Sequence, residues 1–333
     1  MTTSFAPDSS NGRAATLSRK LIIDCDPGVD DAMAIFMALA SPELDVVGLT
    51  TIFGNAATVD TTRNARVLLD IAGRGDIPVA RGPDGPMSAT YIGPVPWVHG
   101  HNGLGDAAIP EPSCQPIGMP AYEFLYSTVA ADPGAVSLLA VGPLTNLGLA
   151  LQHHPDIVDL VAEVVVMGGN ALAPGNATPV AEANINNDPE AADLVFGASW
   201  RVTMVGLDVT HQVNLSGAAI DRISSVDTPP ARLLAAAIPL YRHFFETRNH
   251  VDGIFVHDPS AVAYLLDPDA FITARWPIRV ETQSFSRGKT WPNMGDTDDS
   301  APPAWRGRPT VSVCTAVDAP RVLRLLEDLL SRV

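Results

Sequence analysis

Four aspartates fall within the eight residues Asp24-Cys25-Asp26-Pro27-Gly28-Val29-Asp30-Asp31. Ionised carboxylates packed this closely repel one another, and without a counter-charge some must hold protons. A hard divalent cation removes the conflict, and carboxylate oxygens favour calcium or magnesium over zinc. Each aspartate also has an ordinary reading. Asp30 and Asp31 open a helix, where the dipole favours a carboxylate by about 0.3–1 kcal/mol, and Asp24 ends a strand and orients the turn made by Pro27-Gly28. Capping one helix uses at most one or two carboxylates, so the four together predict a metal site.

Three further segments carry chemistry. In Val256-His257-Asp258-Pro259 the aspartate before a proline reads by itself as an N-cap. The similar Asp188-Pro189 reads only as a cap. The histidine before Asp258 sets it apart: beside a metal-linked carboxylate, His257 is placed to act as a general acid. The loop Gly175 to Asn184 brings Asn176, Glu182 and Asn184, two amides and a carboxylate suited to a polyhydroxylated ligand. In extended backbone Glu182 and Asn184 would face the same side, although turn chemistry accounts for isolated asparagines equally well. Trp97-Val98-His99-Gly100-His101-Asn102-Gly103 reads as a mobile lid rather than a zinc site, because one-residue histidine spacing on a glycine-rich loop is a weak ligand pattern.

These segments need a scaffold that converges them. Short β-rich runs at Leu21 to Cys25, Asp45 to Thr51, Ile77 to Ala80, Ala135 to Val141, Val161 to Met167 and Arg201 to Val205 alternate with stretches of helical length. That rhythm predicts βαβ units: an α/β fold with an open, mostly parallel sheet flanked by helices. Polar clusters follow the strands at Asp26 to Asp31, Phe53-Gly54-Asn55, Gly142 to Asn146 and Gly168-Gly169-Asn170. Ligands of such sheets bind beyond the carboxyl ends of the strands, so these loops are expected to share one crevice. The Gly/Pro-rich stretch 81 to 120 is too long for an ordinary connection and reads as a functional loop. Residues 1–18 read as a disordered tail, and 19–333 as a single domain.

Bulk properties exclude several classes. The 333 residues carry a net charge of −16, which argues against nucleic acid or an anionic membrane as the main partner. The composition, 46% hydrophobic, supports a large core, yet no run of about 18 apolar residues reads as a membrane span. Three scattered cysteines, Cys25, Cys114 and Cys314, are not a disulfide framework, and the cytoplasm is the expected compartment.

Taken in order, six motifs resemble the inosine-uridine preferring nucleoside hydrolases, calcium-dependent nucleoside N-ribohydrolases. They are Asp24 to Asp31; Thr51-Ile52-Phe53-Gly54-Asn55; His99-Gly100 with Gly103-Leu104-Gly105; Gly142 to Asn146; Gly175 to Thr178 with Ala181 to Asn184; and His257-Asp258-Pro259. The resemblance covers nearly the whole chain after the tail and implies a Rossmann-like fold. It also implies a calcium ion on Asp26, Asp31, Asp258 and the Val141 carbonyl, completed by a water and two ribose hydroxyls. Many relatives have threonine at the Val141 position, a change that a carbonyl ligand tolerates. By the same carry-over Asp30, Asn55 and Asn184 hold the ribose 2′ and 3′ hydroxyls, Asn176 and Glu182 hold the 5′ end, and His99 joins the substrate site. Asp26 would be the base for the calcium-bound water, and His257 would assist the departing nucleobase. The substrate would be a ribonucleoside such as uridine or inosine, and the assembly a homodimer or homotetramer.

Base preference is not written in these motifs. The segment Leu240 to His250 offers Tyr241, Phe245 and Arg248 for a base pocket, but its helical spacing fits a core stripe equally well. Two rival functions exist. A phosphohydrolase of the haloacid dehalogenase type would use Asp24 and Asp26 as its nucleophile and acid, but has no need of His257-Asp258 or the Asn176 to Asn184 loop. The other is a non-catalytic calcium-dependent ribose-binding protein.

Overall fold

The computed structural model describes residues 18–295 and 300–333, so the expected N-terminal tail lies almost wholly outside the described residues. Eleven strands follow in chain order: β1 Arg19–Cys25, β2 Leu44–Thr51, β3 Val79–Arg81, β4 Val136–Ala140, β5 Glu163–Met167, β6 Val202–Val205, β7 Asn214–Leu215, β8 Ile254–Phe255, β9 Phe271–Val280, β10 Thr290–Pro292 and β11 Thr310–Val317. The main sheet has the order β10-β9-β11-β6-β5-β4-β1-β2-β3, while β7 and β8 form a separate antiparallel pair. From β3 through β11 all neighbours run parallel; β9 and β10 add an antiparallel edge. The six expected strands are present within two residues of their predicted starts and ends. The edge strands and the small hairpin are additions to that reading.

Parallel strands covered on both faces need apolar side chains on both. Leu21, Ile23 and Cys25 of β1 enter one core while Ile22 enters the other, and β5 splits likewise into Val165 and Met167 against Val164 and Val166. The helix Val29–Ala40 lies in the first core and is buried from Val29 to Ala38. Its apolar residues therefore go all round. Asp31 fixes its start, accepting from the Gly28 amide at 2.9 Å and the Asp26 amide at 3.2 Å.

The sheet order reverses direction between β1 and β4, the neighbours that lead outward to β2 and β5 respectively. At such a switch point the loops beyond the two strand ends diverge and leave a crevice. Asp26 leaves β1 there and Val141 leaves β4, with the Val141 amide donating to the Asp24 carbonyl at 2.8 Å.

Candidate active site

Asp24 lies beneath the crevice. Its Oδ1 accepts from Thr50 Oγ1 at 2.5 Å and from Asn146 Nδ2 at 2.7 Å. Burial raises its carboxyl to about 7, opposed by those two hydrogen bonds. Locked into the strand ends in this way, it braces β1, β2 and the segment after β4, and is not presented as a nucleophile. Asn146 also donates to the Thr51 carbonyl at 3.1 Å. Asn146→Ala should therefore destabilise the chain by about 1–3 kcal/mol, because buried acceptors lose their donor. A lowered urea midpoint at unchanged m-value would show it.

Above Asp24 the carboxylates gather. Asp30, Asp31 and Asp258, all buried, offer oxygens within 4.8 Å of one another. Asp26 adjoins them. Its Oδ2 accepts from the Asn55 amide at 2.7 Å, and Asn55 Nδ2 donates onward to Asp31 Oδ2 at 3.0 Å and to the Asp26 carbonyl at 3.2 Å. The turn carrying Asn55 comes so close to Asp26 that a Cβ on Gly54, at φ +152°, would collide with Oδ2. From the β4 side, a Cβ on Gly142 would stand 2.8 Å from Asp26 Oδ1.

Burial dominates the electrostatics of these groups. It raises Asp30 to about 7, with Asp31 adding to the rise, and Asp31 to about 6. Asp26 and Asp258 are driven well above the usual carboxylate range, first by burial and then by the surrounding carboxylates. Asp258 and Asp31 face each other closely enough that their carboxylates repel unless a proton or a cation lies between them. Oδ1 of Asp26 and Oδ1 of Asp30 are buried with no hydrogen-bond partner among the described residues. Unpartnered buried oxygens of this kind are costly unless a cation or another donor reaches them. An all-oxygen set suits a hard divalent ion.

The alternative reading of Asp258 as an N-cap does not hold in the helix His257–Leu266, whose N-cap is Val256. Asp258 thus sits within the first turn, and its carboxylate turns to Asp31. Asp188 does cap its helix, accepting from the Ala191 amide at 3.1 Å, but it also receives Met87 N at 2.9 Å and Thr145 Oγ1 at 2.7 Å. The extended backbone expected for Glu182 and Asn184 is likewise replaced by the short helix Ala183–Asn187, capped by Glu182. Glu182 accepts from the Gly169, Asn184 and Ile185 amides. Asn184 Nδ2 donates to the Val141 carbonyl at 2.8 Å, which brings the two residues together beside β4. Asn176 is exposed and ties the loop by accepting from the Ala183 amide at 2.9 Å.

A wall of imidazole and aromatic rings faces the carboxylates. Tyr241 faces Asp30, and burial and then that carboxylate push its hydroxyl well above the usual tyrosine range. Its ring lies 5.1 Å from His99 and 4.9 Å from Phe245, and Phe245 lies 6.1 Å from His257. Tyr241 and Phe245 therefore belong to the core and border the site, whereas Arg248 stays exposed at the end of the helix Pro229–Arg248, where its charge complements the dipole. His99 and His257 are both held neutral and lowered to about 3 by burial, with His211 and then His99 contributing at His257. His99 Nδ1 accepts from the Val29 amide at 3.2 Å, so its proton is on Nε2.

The segment expected as a lid is hydrogen-bonded to the turn after β2 and to Asn64. Tyr91 donates to the Gly54 carbonyl at 2.7 Å, Val95 N to the Asn55 carbonyl at 3.4 Å, and Asn64 Nδ2 to the Asn102 carbonyl at 2.8 Å. His99 is buried, while His101 is exposed and pairs with Asp106, so the two histidines do not converge. Thr50, Tyr91, Thr210 and His211 were not legible as site residues. Thr210 and His211 follow β6, and the strand-end rule applied there would have drawn attention to them.

Comparison with known proteins agrees with this geometry. The family model described as inosine-uridine preferring nucleoside hydrolase matches residues 21–324. A probable uridine nucleosidase 2 of Arabidopsis thaliana is 41% identical over 313 residues, 93% of this chain and 97% of that protein. An inosine-uridine preferring nucleoside hydrolase of Crithidia fasciculata is 41% identical over 277 residues, 82% of this chain and 87% of its own. The solved structure of a plant nucleoside hydrolase aligns with a TM-score of 0.91 at 38% identity, covering 94% of this chain and 99% of that one. No helix among the described residues is long and apolar enough to cross a membrane. With the match spanning nearly the whole chain and the carboxylates converging at the sheet's switch point, this protein belongs to the inosine-uridine preferring nucleoside hydrolase family and is an N-ribohydrolase.

Proposed function

We propose that the chain hydrolyses ribonucleosides such as uridine and inosine to ribose and free base, with calcium held by Asp26, Asp31, Asp258 and the Val141 carbonyl. The observation that carries this reading is the buried carboxylate group with unpartnered oxygens on Asp26 and Asp30, set against a wall of rings. When bound, calcium supplies a Lewis acid that orients water and the ribose diol and lowers the pKa of water less than zinc would.

The remaining chemistry belongs to the chain. Asp26 takes the proton of the attacking water; its Oδ1 is free for this while Oδ2 is fixed by Asn55. Asp30 faces Tyr241 and, with Asn55 and Asn184, holds the ribose 2′ and 3′ hydroxyls. Asn176 and Glu182 serve the 5′ end. Breaking the glycosidic bond develops positive charge on the ribose, which the surrounding carboxylates stabilise. His257, a neutral imidazole, donates its N–H to the departing base, with His99, Tyr241 and Phe245 lining the base site.

The family resemblance also supports a homodimer or homotetramer, and three free cysteines fit a reducing cytoplasm. A reducing-sugar assay with uridine, inosine, cytidine and adenosine, run beside p-nitrophenyl phosphate, tests the reading. Ribose release from uridine or inosine is expected. Phosphate release without ribose would favour the phosphohydrolase, and nucleoside binding without turnover would favour the non-catalytic binder.

A further inference from the structure

The loop after β6 folds into the short helix Leu207–Thr210, and the chain then enters β7, which pairs with β8 immediately before the helix His257–Leu266. The Val256 amide donates to the Val213 carbonyl at 3.1 Å and closes this junction. Two segments far apart in sequence are thereby joined at one point, and Thr210 meets His257 there.

Thr210 Oγ1 lies 2.8 Å from His257 Nδ1. Both residues are buried, and this is the one hydrogen bond of the Thr210 hydroxyl among the described residues. A buried hydroxyl proton without an acceptor is costly, so the hydroxyl donates and Nδ1 accepts. The other contacts of the imidazole are with rings: His211 at 5.6 Å, edge-on, Phe255 at 6.1 Å and Phe245 at 6.1 Å. Ring contacts fix the plane of an imidazole but barely distinguish its nitrogens from its carbons. The threonine makes that distinction.

We propose that Thr210 is a positioning residue which, by donating to Nδ1, fixes His257 in the Nε2–H form and orients that N–H for the departing nucleobase. His99 is set in the same tautomer by the Val29 amide, so both site histidines keep their ring proton on Nε2. The inference rests on the leaving-group role of His257 proposed above. Without the hydroxyl, the imidazole can turn over or carry its proton on Nδ1, and either change leaves the base without its donor.

Thr210→Val keeps the shape and removes the hydroxyl, and Thr210→Ser keeps the hydroxyl. Both are assayed on uridine, inosine and p-nitrophenyl riboside beside His257→Ala. We expect Thr210→Val to lower kcat on the two nucleosides by about tenfold to a hundredfold, by analogy with the loss of the hydrogen bond that orients a metal-bound histidine. The loss on the activated aryl riboside should be much smaller, and Thr210→Ser should restore most of the nucleoside activity. A general packing defect would instead lower all three substrates together. If His257→Ala discriminates between the substrate types and Thr210→Val does not, Thr210 has no positioning role. If His257→Ala itself does not discriminate, the leaving-group reading fails and this inference fails with it.

Discussion

Asp26→Asn, assayed at saturating calcium, should lower kcat on uridine and inosine by about 10²- to 10⁴-fold, the usual contribution of a positioned general base. The hydrogen bonds around Asp26 say why the change is specific. The Asn55 amide points at Oδ2 from 2.7 Å, so in the variant the amide oxygen must take that position. The new NH2 group then occupies the place of Oδ1, the oxygen that has no partner in the native site. A proton acceptor becomes a proton donor, and no base remains for the water. Calcium affinity should weaken as well, because one facing oxygen is lost while Asp31 and Asp258 remain. Measuring kcat across a calcium titration separates the two effects. Hydrolysis at the native rate once calcium saturates would remove Asp26 from the role of base.

His257→Ala should lower kcat on nucleosides by about 10²- to 10⁴-fold, again the range for a positioned proton donor, and p-nitrophenyl riboside hydrolysis by a much smaller factor. Burial in a setting of rings lowers His257 to about 3 and leaves it neutral, so it acts through its remaining N–H. A nucleobase leaves poorly with its negative charge uncompensated. A p-nitrophenolate needs no such help. Parallel kinetics on both substrate types read the difference directly, and equal losses would argue against any leaving-group role.

Some of this site was visible in residue types alone. Carboxylates as dense as those from Asp24 to Asp31 have few uses, and strand ends rich in Gly, Asn and Asp mark a crevice wherever strands and helices alternate. The separation of roles within the cluster required the fold. Asp24 differs from Asp26 because Thr50 and Asn146 reach it from neighbouring strand ends, and neither contact has a local signature. Asp258 could be read as a cap only while the helix start was unknown, and one residue of shift turns its carboxylate from the backbone toward Asp31.

Other features were illegible for the same kind of reason. Glu182 caps a helix of five residues, too short to give a periodic pattern. The antiparallel edge of β9 and β10 follows no βαβ rhythm, and Pro277 within β9 disguises it as a loop. The loop containing His99 reads as a lid from its glycines, and its hydrogen bonds with Gly54, Asn55 and Asn64 have no local sequence signature. Thr210 meets His257 across 47 positions of chain, through a hairpin only two residues long on each strand.

The central claim is that the buried carboxylates hold a divalent cation on which nucleoside hydrolysis depends. Its most direct test is calorimetric titration of the chelator-treated protein with calcium, with uridine and inosine hydrolysis followed on the same samples. One calcium per chain should bind, activity should rise in step with occupancy, and Asp258→Ala should abolish both. Full hydrolysis by protein that binds no calcium, magnesium or other divalent ion would contradict the account.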